Sequence, residues 1–186
     1  MKRLCALVLG VALALAGALV APGPAAARPA ANQQAIDYVI ARALAQRGVP
    51  YTYGGGDISG PTLGAEPEIT SAVEPDPLVS IFGTTPAVQE PRPRVAGFDA
   101  SGLIVYAFGG VGIKLPRSSG EQYKVGRKIP PSLALPGDLI FYGPEGTQSV
   151  ALFLGNGQML EATTPAVAVS PVRTNNMAPY LSRIIE

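Results

Sequence analysis

The 186-residue sequence contains no histidine and no tryptophan, and its single cysteine is Cys5. Charged residues make up only 15% of it, and its formal net charge is +1. Because no basic run is present, nothing indicates a polyanionic ligand, and we expect no nucleic-acid partner. Zinc and related sites use thiolate and imidazole ligands, so we also expect no metal ion and no cofactor.

The first 27 residues have the pattern of a secretory signal peptide. A short basic start precedes an apolar run from Leu4 to Val20, and Ala25-Ala26-Ala27 provides the small residues that a signal peptidase requires. We expect cleavage after Ala27. An uncleaved membrane anchor is the alternative, which the two glycines in the run weaken. Cleavage would remove Cys5 and leave a secreted chain, without stable membrane insertion, that has neither thiol nor imidazole.

The rest of the chain, residues 28–186, predicts one α+β domain with N-terminal helices packed on a small antiparallel sheet. Helices are indicated by apolar residues at helical spacing, and Asp99 or Ser101 is the expected N-cap of the second helix. Strands are indicated by short β-type runs between turn residues. The predicted helices are Asn32 to Gln46, Asp99 to Phe108 and Ser118 to Val125; the predicted strands are Leu139 to Tyr142, Val150 to Leu154, Gln158 to Ala162, Val167 to Val172 and Arg183 to Ile185.

A Pro-rich insertion is predicted at about residues 57–94, which contain seven prolines and six acidic residues. A connection of this length without regular structure is unusual in a compact domain. Only the stretch from Leu78 to Phe82 is apolar enough to pack on other residues. Two interpretations stay open, a lid over a neighbouring cleft and a solvated insertion without a function.

Five short motifs follow one another along residues 50–157. They are Pro50-Tyr51 with Gly54-Gly55, Phe98-Asp99-Ala100-Ser101-Gly102-Leu103, Leu115-Pro116-Arg117-Ser118-Ser119 with Gln122-Tyr123, Pro136-Gly137-Asp138-Leu139-Ile140-Phe141, and Val150 to Gly157. In this order they resemble the NlpC/P60 family of cell-wall peptidases, and in particular a catalytically degenerate mycobacterial type. The resemblance implies a papain-like fold, in which a helix N-terminus and a neighbouring imidazole activate a cysteine.

The resemblance also locates the family's catalytic positions. The cysteine of its Asp-Cys-Ser-Gly motif corresponds to Ala100, the histidine to Ser149, and the third, polar residue to Glu161. Loss of a nucleophile or base from a triad costs on the order of a millionfold in rate, so we expect no peptidase activity. Ser101 or Ser149 would need a base, and the sequence contains no Ser-x-x-Lys motif.

By the same resemblance, Tyr51, Asp99, Ser101 and Arg117 are candidates for a groove that binds peptidoglycan stem peptides. Each has a purely structural alternative. Asp99 and Ser101 could only cap their helix, Arg117 could hold a loop through backbone carbonyls, and Tyr51 could lie mainly in the core. Glu161 could be a remnant without a role.

Two functions from different classes are therefore expected. The first is a secreted, non-catalytic module, in the cell wall or periplasm, that binds peptidoglycan. The second is a structural or regulatory protein that binds other cell-wall hydrolases. Retention of Asp99, Ser101 and Arg117 without a catalytic reason favours the first.

Overall fold

The structure is a computed structural model that describes residues 28–64 and 94–186. The predicted signal peptide and the apolar stretch from Leu78 to Phe82 lie outside the described residues. None of the helices within the described ranges has the length and apolar character needed to cross a bilayer.

Three helices precede most of the sheet: α1 (Ala30–Leu44), α2 (Ala100–Gly109) and α3 (Ser119–Lys124). Helix α1 buries Ile36, Val39 and Ala43, which recur at the spacing of one helical face. Asp99 is the N-cap of α2, as predicted, and Ser118 caps α3. The predicted helices are confirmed to within two residues because capping and periodicity are local properties.

Six antiparallel strands form one sheet in the order β1-β6-β2-β3-β4-β5. They are β1 (Arg127–Ile129), β2 (Leu139–Tyr142), β3 (Ser149–Gly155), β4 (Gln158–Ala162), β5 (Val167–Pro171) and β6 (Leu181–Arg183). The α+β prediction is confirmed. The last strand begins two residues earlier than expected, and β1 was not predicted, since a three-residue strand with two exposed cations has no alternating apolar pattern.

The centre of the sheet is buried on both faces, and all four residues of β2 are buried. One face packs on α1 and α2 through residues such as Val39, Leu103, Phe141 and Leu152. The other face carries a second cluster that includes Ile140 and Met159. Because α2 packs on β3 and β4, its N-terminus is held near one end of the sheet.

The described ends of the predicted 57–94 insertion are folded. Thr62 and Gly97 exchange backbone hydrogen bonds of 3.0 and 2.9 Å, and Arg94 donates to the carbonyl of Gly64 at 2.8 Å. The Asp57 carboxylate accepts from the backbone N–H two residues later at 2.7 Å, which makes an Asx turn. The Pro-rich composition of the segment as a whole gave no indication of these local turns.

Candidate functional site

A groove of about 420 Å³ opens at the N-terminus of α2. The four predicted binding residues and two of the three predicted vestigial positions lie in its lining: Tyr51, Asp99, Ala100, Ser101, Arg117 and Ser149. They come from four separate stretches of sequence, so only the fold brings them together. Glu161 is not part of the lining.

The first turn of α2 lies directly against the segment that carries Tyr51. The backbone N–H of Thr52 donates to the Phe98 carbonyl at 3.0 Å, and Phe98 N–H donates to the Pro50 carbonyl at 3.0 Å. A Cβ on Gly102 would lie 2.1 Å from the Gly55 carbonyl oxygen. The glycine of the Asp-Ala-Ser-Gly motif is therefore required by close packing between the helix and this segment.

Arg117 is the centre of a closed hydrogen-bond network on the groove floor. Its guanidinium donates to the two carboxylate oxygens of Asp99, to Ser101 Oγ and to the Gly55 carbonyl, each at 2.9 Å. These bonds use all four terminal N–H groups and leave only Nε–H for a ligand. Arg117 thus holds a loop through a backbone carbonyl, as one alternative supposed, and it holds Asp99 and Ser101 as well.

The remaining hydrogen bonds of Asp99 and Ser101 belong to the same network. Asp99 Oδ1 accepts from Gly102 N at 2.7 Å, which is the predicted capping role. Ser101 Oγ donates to the same oxygen at 3.1 Å and accepts from Arg117. In the part of the chain that the structure describes, the carboxylate beside this hydroxyl is that of Asp99, which is paired with a guanidinium and is therefore a poor base for activating a nucleophile.

Tyr51 forms one wall of the groove and is half-buried. Burial raises the pKa of its phenol above the ordinary value of 10.0, and the nearby charge of Asp99 raises it further. The hydroxyl therefore stays protonated throughout the physiological range and is available as a hydrogen-bond donor at the groove surface.

Glu161 lies on β4, outside the groove lining, with only 4% of its surface exposed. Its Oε1 accepts from Ser170 Oγ at 2.6 Å and from Arg173 at 2.5 Å. Burial raises the pKa of this carboxyl, but the hydrogen bonds from Arg173 and Ser170 and the charge of Arg173 outweigh burial, so the pKa lies below its usual value. Glu161 is therefore ionised and firmly oriented.

The register of β3 and β4 relates Glu161 to Ser149. Leu152 pairs with Leu160, and continuing that register places Ser149 and Glu161 on the same face as diagonal neighbours. Side chains in this relation are within reach of each other when one of them is long.

Gln122 is a functional-site residue that the motif alone did not assign. It is fully buried, and its Nε2 donates to the Ser101 carbonyl at 3.1 Å and to the Pro116 carbonyl at 2.8 Å. One side chain therefore ties α3 to the first turn of α2 and to the residue before Arg117. Its place in the motif, on α3 and after Arg117, was the only signal in the sequence.

Within residues 28–64 and 94–186, no group of three or more carboxylate, cysteine or histidine side chains is placed to hold a metal ion. The charged side chains of the groove lining are Asp99 and Arg117, which neutralise each other. What the groove offers a ligand is hydroxyl, amide and aromatic chemistry, from Tyr51, Tyr53, Gln148 and several serines and a threonine.

A helix whose N-terminus meets the start of a sheet strand at a groove is the architecture of the papain-like class of α+β domains. The family model for the NlpC/P60 family matches residues 48–186. This chain belongs to the NlpC/P60 family, as its motifs predicted.

Three relatives illustrate the range of the family. The peptidoglycan endopeptidase RipB of Mycobacterium tuberculosis is 46% identical, and the match covers 88% of this chain and 64% of RipB. A solved structure of RipD from Mycobacterium tuberculosis, described as a non-catalytic NlpC/p60 domain protein with an adaptation to peptidoglycan binding, is 55% identical with a TM-score of 0.65. The match covers 82% of this chain and 98% of the chain in that structure.

Solved structures of RipA complete the comparison. One of them is 47% identical, with a TM-score of 0.68, and the match covers 83% of this chain and 64% of the chain in the RipA structure. Three RipA structures carry a substitution at a cysteine, a histidine or a glutamate. The chain thus spans 64% of the length of RipB, and the relatives include both endopeptidases and a non-catalytic protein.

Proposed function

We propose that this chain is a secreted, non-catalytic module that binds peptidoglycan stem peptides in its groove, in the cell wall or periplasm. The observation that carries the proposal is the groove itself. It retains an ordered polar lining, while Ala100 and Ser149 present a methyl group and a hydroxyl where the family resemblance expects a thiol and an imidazole.

The substituted cysteine, histidine and glutamate of RipA support this assignment of positions. They follow one another at the same intervals along the chain as Ala100, Ser149 and Glu161 do here. Replacing a thiol and an imidazole removes bond-breaking chemistry while changing few of the contacts that a bound ground-state ligand makes. Binding without hydrolysis is therefore the function that the lining supports best, and RipD provides a precedent within the family.

Purified wild-type protein is expected to co-sediment with isolated sacculi and to release no new soluble fragments. Ser149→Phe, which fills the groove, should weaken co-sedimentation at least about tenfold because an aromatic ring would occupy the ligand's space. Ser132→Phe is the matched control. It makes the same substitution on an exposed turn and should bind like wild type. Thermal melts of both variants establish that each is folded.

Two results would contradict the proposal in different ways. Fragments that persist through repurification and disappear in Ser101→Ala or Ser149→Ala would indicate catalysis. Wild-type protein that stays in solution when sacculi are sedimented would contradict peptidoglycan binding. The other expected function, binding of cell-wall hydrolases, would then remain. Capture of purified hydrolases tests it.

Binding is also expected to change little between about pH 5.5 and 8, because the sequence has no histidine to titrate there. Tyr51, whose pKa is raised by burial, stays protonated across this range. Added salt should have little effect, since Asp99 and Arg117 are paired with each other. Binding isotherms at four pH values and two ionic strengths test this, and a steep transition near pH 6.5 or a strong salt dependence would show that an unpaired charge governs binding.

A further inference from the structure

We infer that Tyr53, at the rim of the groove, contacts the saccharide part of peptidoglycan, next to the stem peptide. This inference rests on the proposed function and extends it from the peptide to the glycan. It starts from one side chain that no structural role explains.

Tyr53 is 78% exposed, more than any other large apolar side chain in the described ranges, and it nevertheless lines the groove. An aromatic ring that remains in water keeps unburied an apolar surface that would stabilise the protein if it were packed. Tyrosines of this kind are enriched at binding surfaces, because the ring supplies contact area and the hydroxyl stays hydrated.

The backbone beneath Tyr53 is rigid. Gly55 N–H donates to the Thr52 carbonyl at 2.8 Å and closes a four-residue turn around Tyr53 and Gly54. Gly54 has φ of +69°, which the third position of such a turn accepts readily from glycine. Thr52 is fixed on both sides, by its N–H to Phe98 O and by its Oγ1 to Val95 O at 2.8 Å. The ring is thus exposed on an ordered support, so little backbone entropy opposes binding there.

The chemistry around the ring favours a sugar over a charged group. The charged members of the groove lining, Asp99 and Arg117, satisfy each other, and the other polar side chains are neutral hydroxyls and an amide. A pyranose ring has an apolar C–H face, which is attracted to the negative face of an aromatic ring, and an edge of hydroxyl and acetamido groups, which are neutral donors and acceptors. In peptidoglycan such sugars are joined directly to the stem peptide.

The test compares two ligands that differ in the disaccharide and not in charge at the peptide N-terminus: a stem peptide whose α-amino group is acylated by lactate, and the muropeptide that carries the same peptide on a disaccharide. Calorimetry should show that wild-type protein binds the muropeptide about tenfold more tightly than the peptide. Tyr53→Ala should abolish this preference, because it lowers affinity for the muropeptide about tenfold more than it lowers affinity for the peptide. Tyr53→Phe should retain the preference, and Tyr180→Ala, at an exposed tyrosine outside the groove lining, should leave both affinities unaltered.

The outcomes separate this inference from the function on which it rests. Equal wild-type affinity for peptide and muropeptide, or an equal loss of both in Tyr53→Ala, would overturn the saccharide contact and leave peptidoglycan binding intact. Failure of wild type to bind either ligand would overturn the proposed function itself. A double-mutant comparison of this form assigns the lost affinity to the pair formed by Tyr53 and the sugar.

Discussion

The double variant Ala100→Cys with Ser149→His is expected to hydrolyse muropeptides weakly, whereas each single variant is expected to be inactive. Nucleophile and base act as a unit, so that removing one costs about as much as removing both, on the order of a millionfold in a well-studied triad. Restoring only one of them should therefore recover almost nothing.

The geometry supports an interaction between the two new side chains. Residues 100 and 149 line the same groove, and residue 100 is the first residue of α2, where the helix dipole lowers the pKa of a thiol. Glu161, ionised and held by Ser170 and Arg173, lies diagonally across the sheet from residue 149 and is a candidate orienter for the imidazole.

Release of fragments from purified muropeptides, followed by mass spectrometry, measures the activity. The rate of alkylation against pH gives the thiol pKa independently of turnover. Ala100→Ser with Ser149→His is the control, because it retains the base and weakens the nucleophile. A thiol pKa in the double variant equal to that in Ala100→Cys would contradict the adjacency of the two positions.

Asp138→Ala is expected to lower the free energy of unfolding by about 3–5 kcal/mol, the effect typical of breaking a buried ion pair from one side. Asp138 is completely buried. Its carboxylate accepts two hydrogen bonds of 2.8 Å from Arg183 and one of 3.2 Å from Arg28, and both arginine side chains are at most 9% exposed. Removing the carboxylate would leave two buried like charges near each other, with the carbonyls of Pro136 and Leu133 as their remaining hydrogen-bond acceptors.

The pKa of Arg28 indicates how unfavourable the two arginines would be without the Asp138 carboxylate. Burial lowers the pKa of its guanidinium and the charge of Arg183 lowers it further, while Asp138 opposes both. Without Asp138 only the attraction of Glu186, the smallest of these effects, would oppose burial and the charge of Arg183. The aspartate of the Pro136-Gly137-Asp138 motif is therefore a stabilising residue of the core, outside the groove lining.

Urea denaturation at neutral pH measures the effect. Asp37→Ala is the matched control. Asp37 lies on the exposed side of α1, and among the described residues it bonds only Gln33, so its loss should change stability by no more than about 0.5 kcal/mol. If Asp138→Ala and Asp37→Ala were equally mild, the buried cluster would not contribute to the stability of the fold.

The sequence by itself determined the local structure and the missing chemistry of this protein. Helical spacing and capping residues predicted α1, α2 and α3, and Asp99 is the N-cap of α2 as expected. Alternating runs between turns predicted most of the sheet. The absence of histidine, and of any cysteine after Cys5, is a property of composition that no arrangement in space can change. Such features can be predicted from the sequence because helix and strand patterns depend on residues close by along the chain, and composition depends on no contact at all.

Only the tertiary structure decided how separated residues are used. Arg117 was expected either in a groove or in a loop, and it lies in the groove lining while bonding Asp99, Ser101 and a backbone carbonyl. Glu161 pairs with Arg173, and Asp138 pairs with Arg28 across 110 positions of sequence. The sheet order and the three-residue β1 depend equally on distant partners. Periodicity cannot reveal such pairings, because their energies arise from contacts that exist only after the chain has folded.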